Sequence, residues 1–310
     1  MGGNQTWVTE FILVGFQLRR EMEVLLFWIF SLFYIFILLA NGMILGLICL
    51  DPRLHTPMYF FLSHLSVIDI SYASNSVPKM LANLVNQNKT ISFIPCIMQI
   101  FLDIAFAGAE CMILVVMSYD RYVAICHPLH YTATMNWTVC IILTITSWAC
   151  GLILATVHAI LLLRLPFCGP CEVNLLFCEL LSVLKLACAD TWINEVVILA
   201  TSMFLFVGPL CLMLVSYTYI LWAILRIQSG EGCRKAFSTC SSHLCVVGLF
   251  FGIAIVVYMV SDSNQPGEHQ KILSLFYVLF NPMLNPLIYS LRNAQVKSAF
   301  HGALQRKRAA

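Results

Sequence analysis

The chain has 310 residues, of which 60% are hydrophobic and only 10% are charged, whereas an ordinary soluble domain has roughly 45–50% apolar and about 25% charged residues. A mean hydropathy of +0.87 over this length excludes a disordered chain and a coiled coil. A formal net charge of only +2 excludes a nucleic-acid-binding protein with a basic surface, so no nucleic-acid partner is expected. The composition is that of an integral membrane protein.

The apolar residues fall into seven segments long enough to cross a bilayer, which needs about 20 residues per helix. Five contain no Asp, Glu, Lys or Arg, and two more have the required length but carry charges. We therefore predict an all-α membrane protein with a single domain over 1–310, formed by an N-terminal segment 1–23, a seven-helix bundle 24–291 and a tail 292–310. In chain order the predicted spans are 24–50, 58–84, 94–126, 139–163 (within 122–163), 196–225, 236–261 and 272–291.

The loop charges predict the orientation of the bundle. With a cytoplasmic C-terminus, the inner side carries ten basic residues against three acidic ones, and the outer side carries six against nine. This asymmetry follows the positive-inside rule and predicts an extracellular N-terminus. Asn4 and Asn88 then lie in outward-facing sequons, and Asn4 is the better glycosylation acceptor because Asn88 lies close to the membrane.

The long outer loop 164–195 is rich in cysteine. It contains four cysteines, and Cys96 at the outer end of the third span makes five thiols in an oxidising compartment, which leaves one unpaired. The run from Cys168 to Cys171 also matches a redox CxxC, but no βαβ pattern surrounds it, so a structural disulfide is the favoured interpretation. The four loop cysteines are Cys168, Cys171, Cys178 and Cys188.

Ionisable residues within the spans indicate functional positions, because a charge at membrane depth is costly. On the third span, Asp103, Glu110 and Arg121 share one helix face with Ala107, Leu114 and Met117, since these positions step by three or four. Asp69 and Glu110, with Asn41 and Asn285 nearby, could hold a structural sodium ion or share a proton. The alternative is a protonated carboxyl that is simply hydrogen-bonded.

Two short motifs concern the end of the chain. Pro282 and Pro286 each remove an amide donor from the seventh span, which predicts a kink that marks either a moving element or a packing accommodation.

In the tail, Val296, Phe300 and Leu304 recur every four residues among basic residues. That spacing predicts an amphipathic helix on the inner membrane leaflet, with a solvated tail as the alternative.

Local motifs follow one another in a fixed order over nearly the whole chain. The longest is SYDRYVAICHPLHY at 118–131. The others are NG at 41–42, LHTPMY at 54–59, LS at 65–66, SY at 216–217, KAFSTC at 235–240, SHL at 242–244 and PMLNPLIYSLRN at 282–293. This ordered set resembles the olfactory receptor family of class A G-protein-coupled receptors, although position 118 is usually alanine in that family.

The resemblance implies a non-enzymatic receptor in the plasma membrane that binds small volatile molecules and activates the stimulatory olfactory G protein, raising cyclic AMP. It places the ligand in the outer third of the bundle, where Phe251 replaces a frequent tyrosine. Asp103 matches the position at which amine receptors hold a cation, but a water-facing or packing carboxylate is favoured there. The implied lining is Asp103, Ile104, Ala107, Gly108, His158, Thr201, Ser202, Phe206, Phe251, Ala254, Ile255, Tyr258 and Val278.

The resemblance also implies disulfides and a switch. Cys96 would pair with Cys178 and Cys168 with Cys188, which leaves Cys171 spare. Asp120 would hold Arg121 at rest and release it toward the G protein. The other implied switch residues are Tyr122, Tyr217, His243 and Tyr289.

A transporter and an intramembrane enzyme are the two alternative classes of membrane protein. A transporter would show internal repeats and paired broken helices, and only the seventh span is broken. An intramembrane enzyme would show a catalytic motif, and the sequence contains neither HExxH nor Gly-x-Ser-x-Gly. Both classes are therefore less consistent with the sequence than a receptor.

Overall fold

The computed structural model describes residues 9–16, 18–86, 88–168, 171–226, 240–241, 244–252, 268–292, 296 and 298–300. Six of the predicted spans are helices within these residues, and the predicted span 236–261 is helical at 240–241 and 244–252, which we call α6. The others are α1 (Arg20–Leu50), α2 (Pro57–Val85), α3 (Phe93–Cys126), α4 (Trp137–Leu163), α5 (Trp192–Leu225) and α7 (Glu268–Arg292).

Outside α6, each helix begins one to four residues before its predicted span. The extensions carry polar residues that a hydropathy criterion leaves out, such as Arg20 at the start of α1 and Asn136, whose side chain accepts a hydrogen bond from the Val139 N–H and caps α4. Among the described residues, α1, α3, α4 and α5 are long and apolar enough to cross a membrane. The helix α5 contains a π turn at Met203–Val207.

Helix α3 lies at the centre of the bundle, against α2, α4 and α5. It lies close to α4 where Gly108 and Gly151 face each other: a Cβ added at Gly108 would lie 2.9 Å from the Gly151 Cα. Small residues at a crossing allow two backbones to approach, which is how helices pack tightly in a membrane.

The two prolines of α7 lie inside a continuous helix. Because Pro286 has no N–H, it cannot bond the carbonyl of Pro282 one turn earlier. Asn41 replaces this bond: its Nδ2 donates to the Pro282 oxygen at 3.0 Å and to the Ile37 oxygen at 3.1 Å. The predicted break in the ladder is thus compensated by α1, and movement at this point remains a prediction.

One end of the bundle, which we call the disulfide end, carries a small sheet that the sequence did not predict. Strand β1 (Glu10–Leu13) pairs antiparallel with β2 (Thr90–Ser92) and parallel with β3 (Glu172–Val173), in the order β2–β1–β3. Phe11 and Leu13 are buried beneath it. The N-terminal segment is therefore part of the cap over the helices.

Two disulfides hold the same cap. They join Cys96 to Cys178 and Cys168 to Cys188, the pairings that the resemblance implies. Cys171 is a free, buried thiol with φ of 46°, and its backbone oxygen accepts from the Ile12 N–H of β1. Burial raises the pKa of the Cys171 thiol, opposite to the shift that makes a CxxC cysteine reactive.

The remaining elements are short. The opposite end of the bundle, which we call the Arg121 end, has 3-10 turns at Pro52–Leu54 and Pro128–His130 and a helical turn at Tyr131–Thr134; the disulfide end has another helical turn at Leu180–Leu184. In the predicted tail helix, 296 and 298–300 are helical, and Val296 and Ala299 are buried against the bundle. Leu304 lies outside the described residues.

Candidate ligand pocket and polar core

A cavity of about 220 Å³ lies inside the disulfide end of the bundle. Helices α2, α3, α5 and α7 supply its walls, and the loop around Cys178 covers it. Most of the wall is aliphatic or aromatic, as suits a small organic ligand. The described lining is Tyr72, Ile100, Asp103, Ile104, Ala107, Phe177, Glu179, Leu180, Leu181, Phe206, Ser274, Tyr277 and Val278.

Five residues of the implied lining face this cavity, namely Asp103, Ile104, Ala107, Phe206 and Val278. The described lining does not include five others. Gly108 contacts Gly151, His158 Nε2 lies 3.1 Å from Thr201 Oγ1, and Phe251 packs edge-on against Phe250 with ring centroids 5.1 Å apart. Ser202 ends the helical segment before the π turn of α5. Ala254, Ile255 and Tyr258 lie outside the described residues.

Asp103 is joined to α2 as well as facing the cavity. Its Oδ1 accepts from Asn75 Nδ2 at 2.7 Å and from Ser76 Oγ at 3.4 Å. Asn75 Nδ2 also donates to the Gln99 oxygen, one turn before Asp103. These bonds fix the carboxylate on the α2 side of α3, so its position is determined before any ligand arrives.

The second carboxyl group of the cavity is Glu179, which the sequence did not indicate as a site residue. It follows Cys178, whose disulfide to Cys96 and N–H bond to Gln99 Oε1 at 2.8 Å tie the loop to α3. Glu179 Oε2 is buried without a hydrogen-bond partner among the described residues. Burial raises the pKa of Glu179 to about 7, opposed by the Lys185 charge and a Ser182 hydrogen bond.

A polar core lies deeper in the bundle. Asn285 Nδ2 lies 3.1 Å from each carboxylate oxygen of Asp69 and 3.3 Å from Glu110 Oε1, which also accepts from Asn281 Nδ2 at 2.9 Å. Asp69, Glu110 and Asn285 are thus brought together, as their positions predicted. The Asn41 Oδ1 is buried without a partner among the described residues.

This core offers carboxylate and amide oxygens, which are the ligands that hard cations prefer. The described residues contain no cluster of three or more His, Cys, Asp or Glu side chains that could hold a metal. A sodium ion there would depend on two carboxylates and on amide oxygens, and the same hydrogen bonds also fit the alternative of a protonated carboxyl.

At the Arg121 end, an ion pair lies within a hydrogen-bond network. Arg121 Nη2 donates to Asp120 Oδ2 at 2.7 Å, and the Tyr131 hydroxyl donates to Asp120 Oδ1 at 2.8 Å. Asp120 is fully buried, whereas the Arg121 side chain is 17% exposed. A buried carboxylate with two strong donors holds the arginine in one orientation.

The other implied switch residues are distributed around this pair. The Tyr122 hydroxyl lies 3.2 Å from His127 Nε2, and Tyr217 is buried with Ile220 of α5 and Cys240 of α6. His243 lies outside the described residues, and Tyr289 is placed only by its helical backbone in α7. The structure thus brings three helices together around the ion pair.

The helix bundle thus has an apolar cavity at one end and a paired arginine at the other. A profile of the olfactory receptor family matches residues 30–307. The chain belongs to the olfactory receptor family. It is therefore a multi-pass membrane protein with seven transmembrane helices in the class A group of G-protein-coupled receptors, and it is not an enzyme.

Curated olfactory receptors are similar to this one over their whole length. Human olfactory receptor 2A2 is 71% identical over 308 residues, covering 99% of this chain and 97% of the relative. Human olfactory receptor 2A5 is 70% identical over 309 residues, with 99% of each chain covered. Mouse olfactory receptor 2A7 is 60% identical over 309 residues, with 100% of each covered.

Proposed function

We propose that this olfactory receptor binds small volatile molecules in the cavity of its disulfide end and activates the stimulatory olfactory G protein, which raises cyclic AMP. The observation that carries the proposal is the position of both sites on α3. Asp103 and Ala107 face the cavity, and Arg121 lies at the other end of the same helix, about 27 Å away at 1.5 Å per residue.

In this proposal the receptor lies in the plasma membrane with its N-terminus outside. Loop charges support this orientation by the positive-inside rule. The sheet, the disulfides and the cavity then face the extracellular side, and Arg121 faces the G protein. Asn4 would be the glycosylated residue; it lies outside the described residues.

The ligand would contact the five implied lining residues that face the cavity. Gly108, His158, Thr201, Ser202 and Phe251 remain predictions as contacts, because they lie around the described cavity rather than in it. A ligand that moves α3 or α5 would act on Asp120 and Arg121 by favouring one of two packings of the helices. Tyr122, Tyr217, His243 and Tyr289 are the proposed partners of the released arginine.

Loss of the arginine tests the signalling half of the proposal. In cells that express the receptor with the olfactory G protein, Arg121→Ala is expected to reduce the cyclic AMP response to a diverse odorant panel at least tenfold at equal surface expression. Arg53→Ala is the matched control, because Arg53 pairs with Asp51 in a loop at the same end and is mostly exposed. A wild type that reaches the surface and stays silent across the panel would contradict the proposal.

We further propose that Asp69, Glu110 and Asn285 bind a structural sodium ion. The purified receptor is then expected to unfold at a higher temperature in sodium chloride than in choline chloride of equal ionic strength, because an ion that binds only the folded state stabilises it. Asp69→Asn should remove the difference. Equal unfolding temperatures in the two salts would favour the hydrogen-bonded, protonated carboxyl instead.

A further inference from the structure

Two carboxyl groups line the cavity, Asp103 from α3 and Glu179 from the covering loop. The Cys96–Cys178 disulfide fixes this loop above α3, so both carboxyl groups stay at the same cavity.

No basic side chain in the described lining neutralises this pair, since that lining contains no Lys, Arg or His. The sequence 253–267, which precedes α7, also contains no Lys, Arg or His. Lys185 attracts Glu179 from the same loop but does not line the cavity. The cavity thus combines two carboxyl groups with an apolar wall.

Two polar atoms at the cavity are unsatisfied. Glu179 Oε2 and Ser274 Oγ are buried without hydrogen-bond partners among the described residues. Asp103, in contrast, accepts hydrogen bonds from Asn75 and Ser76 of α2, both on its Oδ1. Because a buried unpaired polar group is unfavourable, such groups usually have a missing partner. A ligand with several N–H donors and a positive charge would be that partner.

We propose that this receptor prefers small protonated amines, whose ammonium group binds between Asp103 and Glu179 while the apolar body contacts Ile104, Ala107 and Phe206. The inference rests on the proposed function, which makes this cavity the ligand site. An alkyl ammonium has three donors and remains charged at neutral pH. Aromatic rings at Tyr72, Phe177 and Tyr277 add faces that attract a cation.

The size of the cavity limits the amine. Ligand pockets commonly enclose about 300–1,000 Å³, and this one encloses about 220 Å³. The suitable probes are therefore compact: cyclohexylamine and hexylamine, each compared with the alcohol and the carboxylate of the same carbon skeleton.

Thermal unfolding of the purified full-length receptor measures binding whether or not the probe activates. We expect each amine to stabilise the receptor at a concentration at least tenfold lower than its alcohol, and the carboxylates to have no effect. Glu179→Gln should remove this preference, and Asp103→Asn should weaken it. Glu172→Gln is the matched control, because it removes an exposed acid from the same loop.

The variant Glu179→Gln keeps the test valid if Asp103→Asn fails to fold, because Oε2 has no hydrogen bond to lose among the described residues. Equal potency of amines and alcohols in the wild type, or an amine preference that persists in Glu179→Gln, would overturn the inference. Neutral odorants that still raise cyclic AMP through Arg121 would then leave the proposed function intact. A receptor that responds to neither class would contradict both.

Acidification provides a second readout. Asp103 on α3, Tyr72 on α2, Tyr277 on α7 and Lys185 in the loop are the described titratable groups around Glu179. Burial raises the pKa of Glu179 to about 7, so lowering the pH from one unit above to one unit below it protonates the carboxylate. Amine potency should fall by up to about tenfold, and Glu179→Gln should reduce this dependence.

Discussion

Gly151→Val is expected to prevent folding of the receptor and its delivery to the cell surface. A Cβ at Gly151 would lie 2.9 Å from the Ala109 nitrogen and closer still to the Ala105 oxygen. Both are backbone atoms of α3, so no side chain can rotate to make room. The helices α3 and α4 would have to separate, and the expected destabilisation is about 3 kcal/mol or more, at the upper end for overpacking.

Surface labelling and thermal unfolding measure this effect, with Gly46→Val as the control. Gly46 lies within α1, and a Cβ there would meet no atom within 4 Å. The same substitution at Gly46 should therefore leave surface labelling nearly unchanged. A Gly151→Val receptor that labels and unfolds like the wild type would show that α3 and α4 do not pack at this distance.

Asn285→Leu is expected to be the next most damaging single change. Asn285 Nδ2 lies within hydrogen-bond distance of both oxygens of Asp69 and of Glu110 Oε1. A leucine would leave Asp69 buried without this donor, at a cost of roughly 2 kcal/mol or more. Hydrogen bonds between membrane helices average only about 0.6 kcal/mol, but here a single amide serves two carboxylates.

Asn281→Leu is the matched control, because Asn281 donates to Glu110 and Glu110 retains Asn285. The unfolding temperature of the purified receptor should fall less for Asn281→Leu than for Asn285→Leu. Adding Asp69→Asn to Asn285→Leu should restore part of the loss, since it removes the unpaired charge. Equal losses in the two single variants would show that the amide is not shared.

The sequence predicted the spans well because the bilayer imposes its thickness on every helix. The boundaries differ by up to four residues, where polar residues such as Arg20 extend a helix beyond its apolar segment. The proximity of Asp69, Glu110 and Asn285 was also predictable, because charges at membrane depth have few alternatives to one another. Contacts between distant loop segments were predicted only where the resemblance implied a disulfide.

The cavity was predicted less completely. The implied lining groups Thr201, Ser202 and Phe206 on α5, but only Phe206 faces the described cavity. The π turn that begins after Ser202 adds a residue to the helical turn, so positions before and after it face different directions. No periodicity marks such a turn in an apolar sequence.

Other lining residues had a signal that was not used. Ser274 lies three residues before Tyr277 and four before Val278, spacings that place it on the same face of α7 as both. Glu179 follows Cys178, which the resemblance joins to Cys96 of α3. This pairing places Glu179 near the disulfide end of that helix. By contrast, strand β1 pairs with two segments far along the chain, and short-range pattern does not indicate such partners.

The strand order β2–β1–β3 means that the sheet cannot be completed until β3 has been synthesised. Strand β1 leaves the ribosome before α1, whereas its partner at Glu172–Val173 follows only after α1 to α4 have been made. At about 5–20 residues per second, the interval is roughly ten to thirty seconds. During that interval the β1 edge that will pair with β3 has no partner strand in the nascent chain. An unpaired strand edge can pair with another chain and so promote aggregation. The speed of translation thereby becomes a determinant of how much receptor survives quality control.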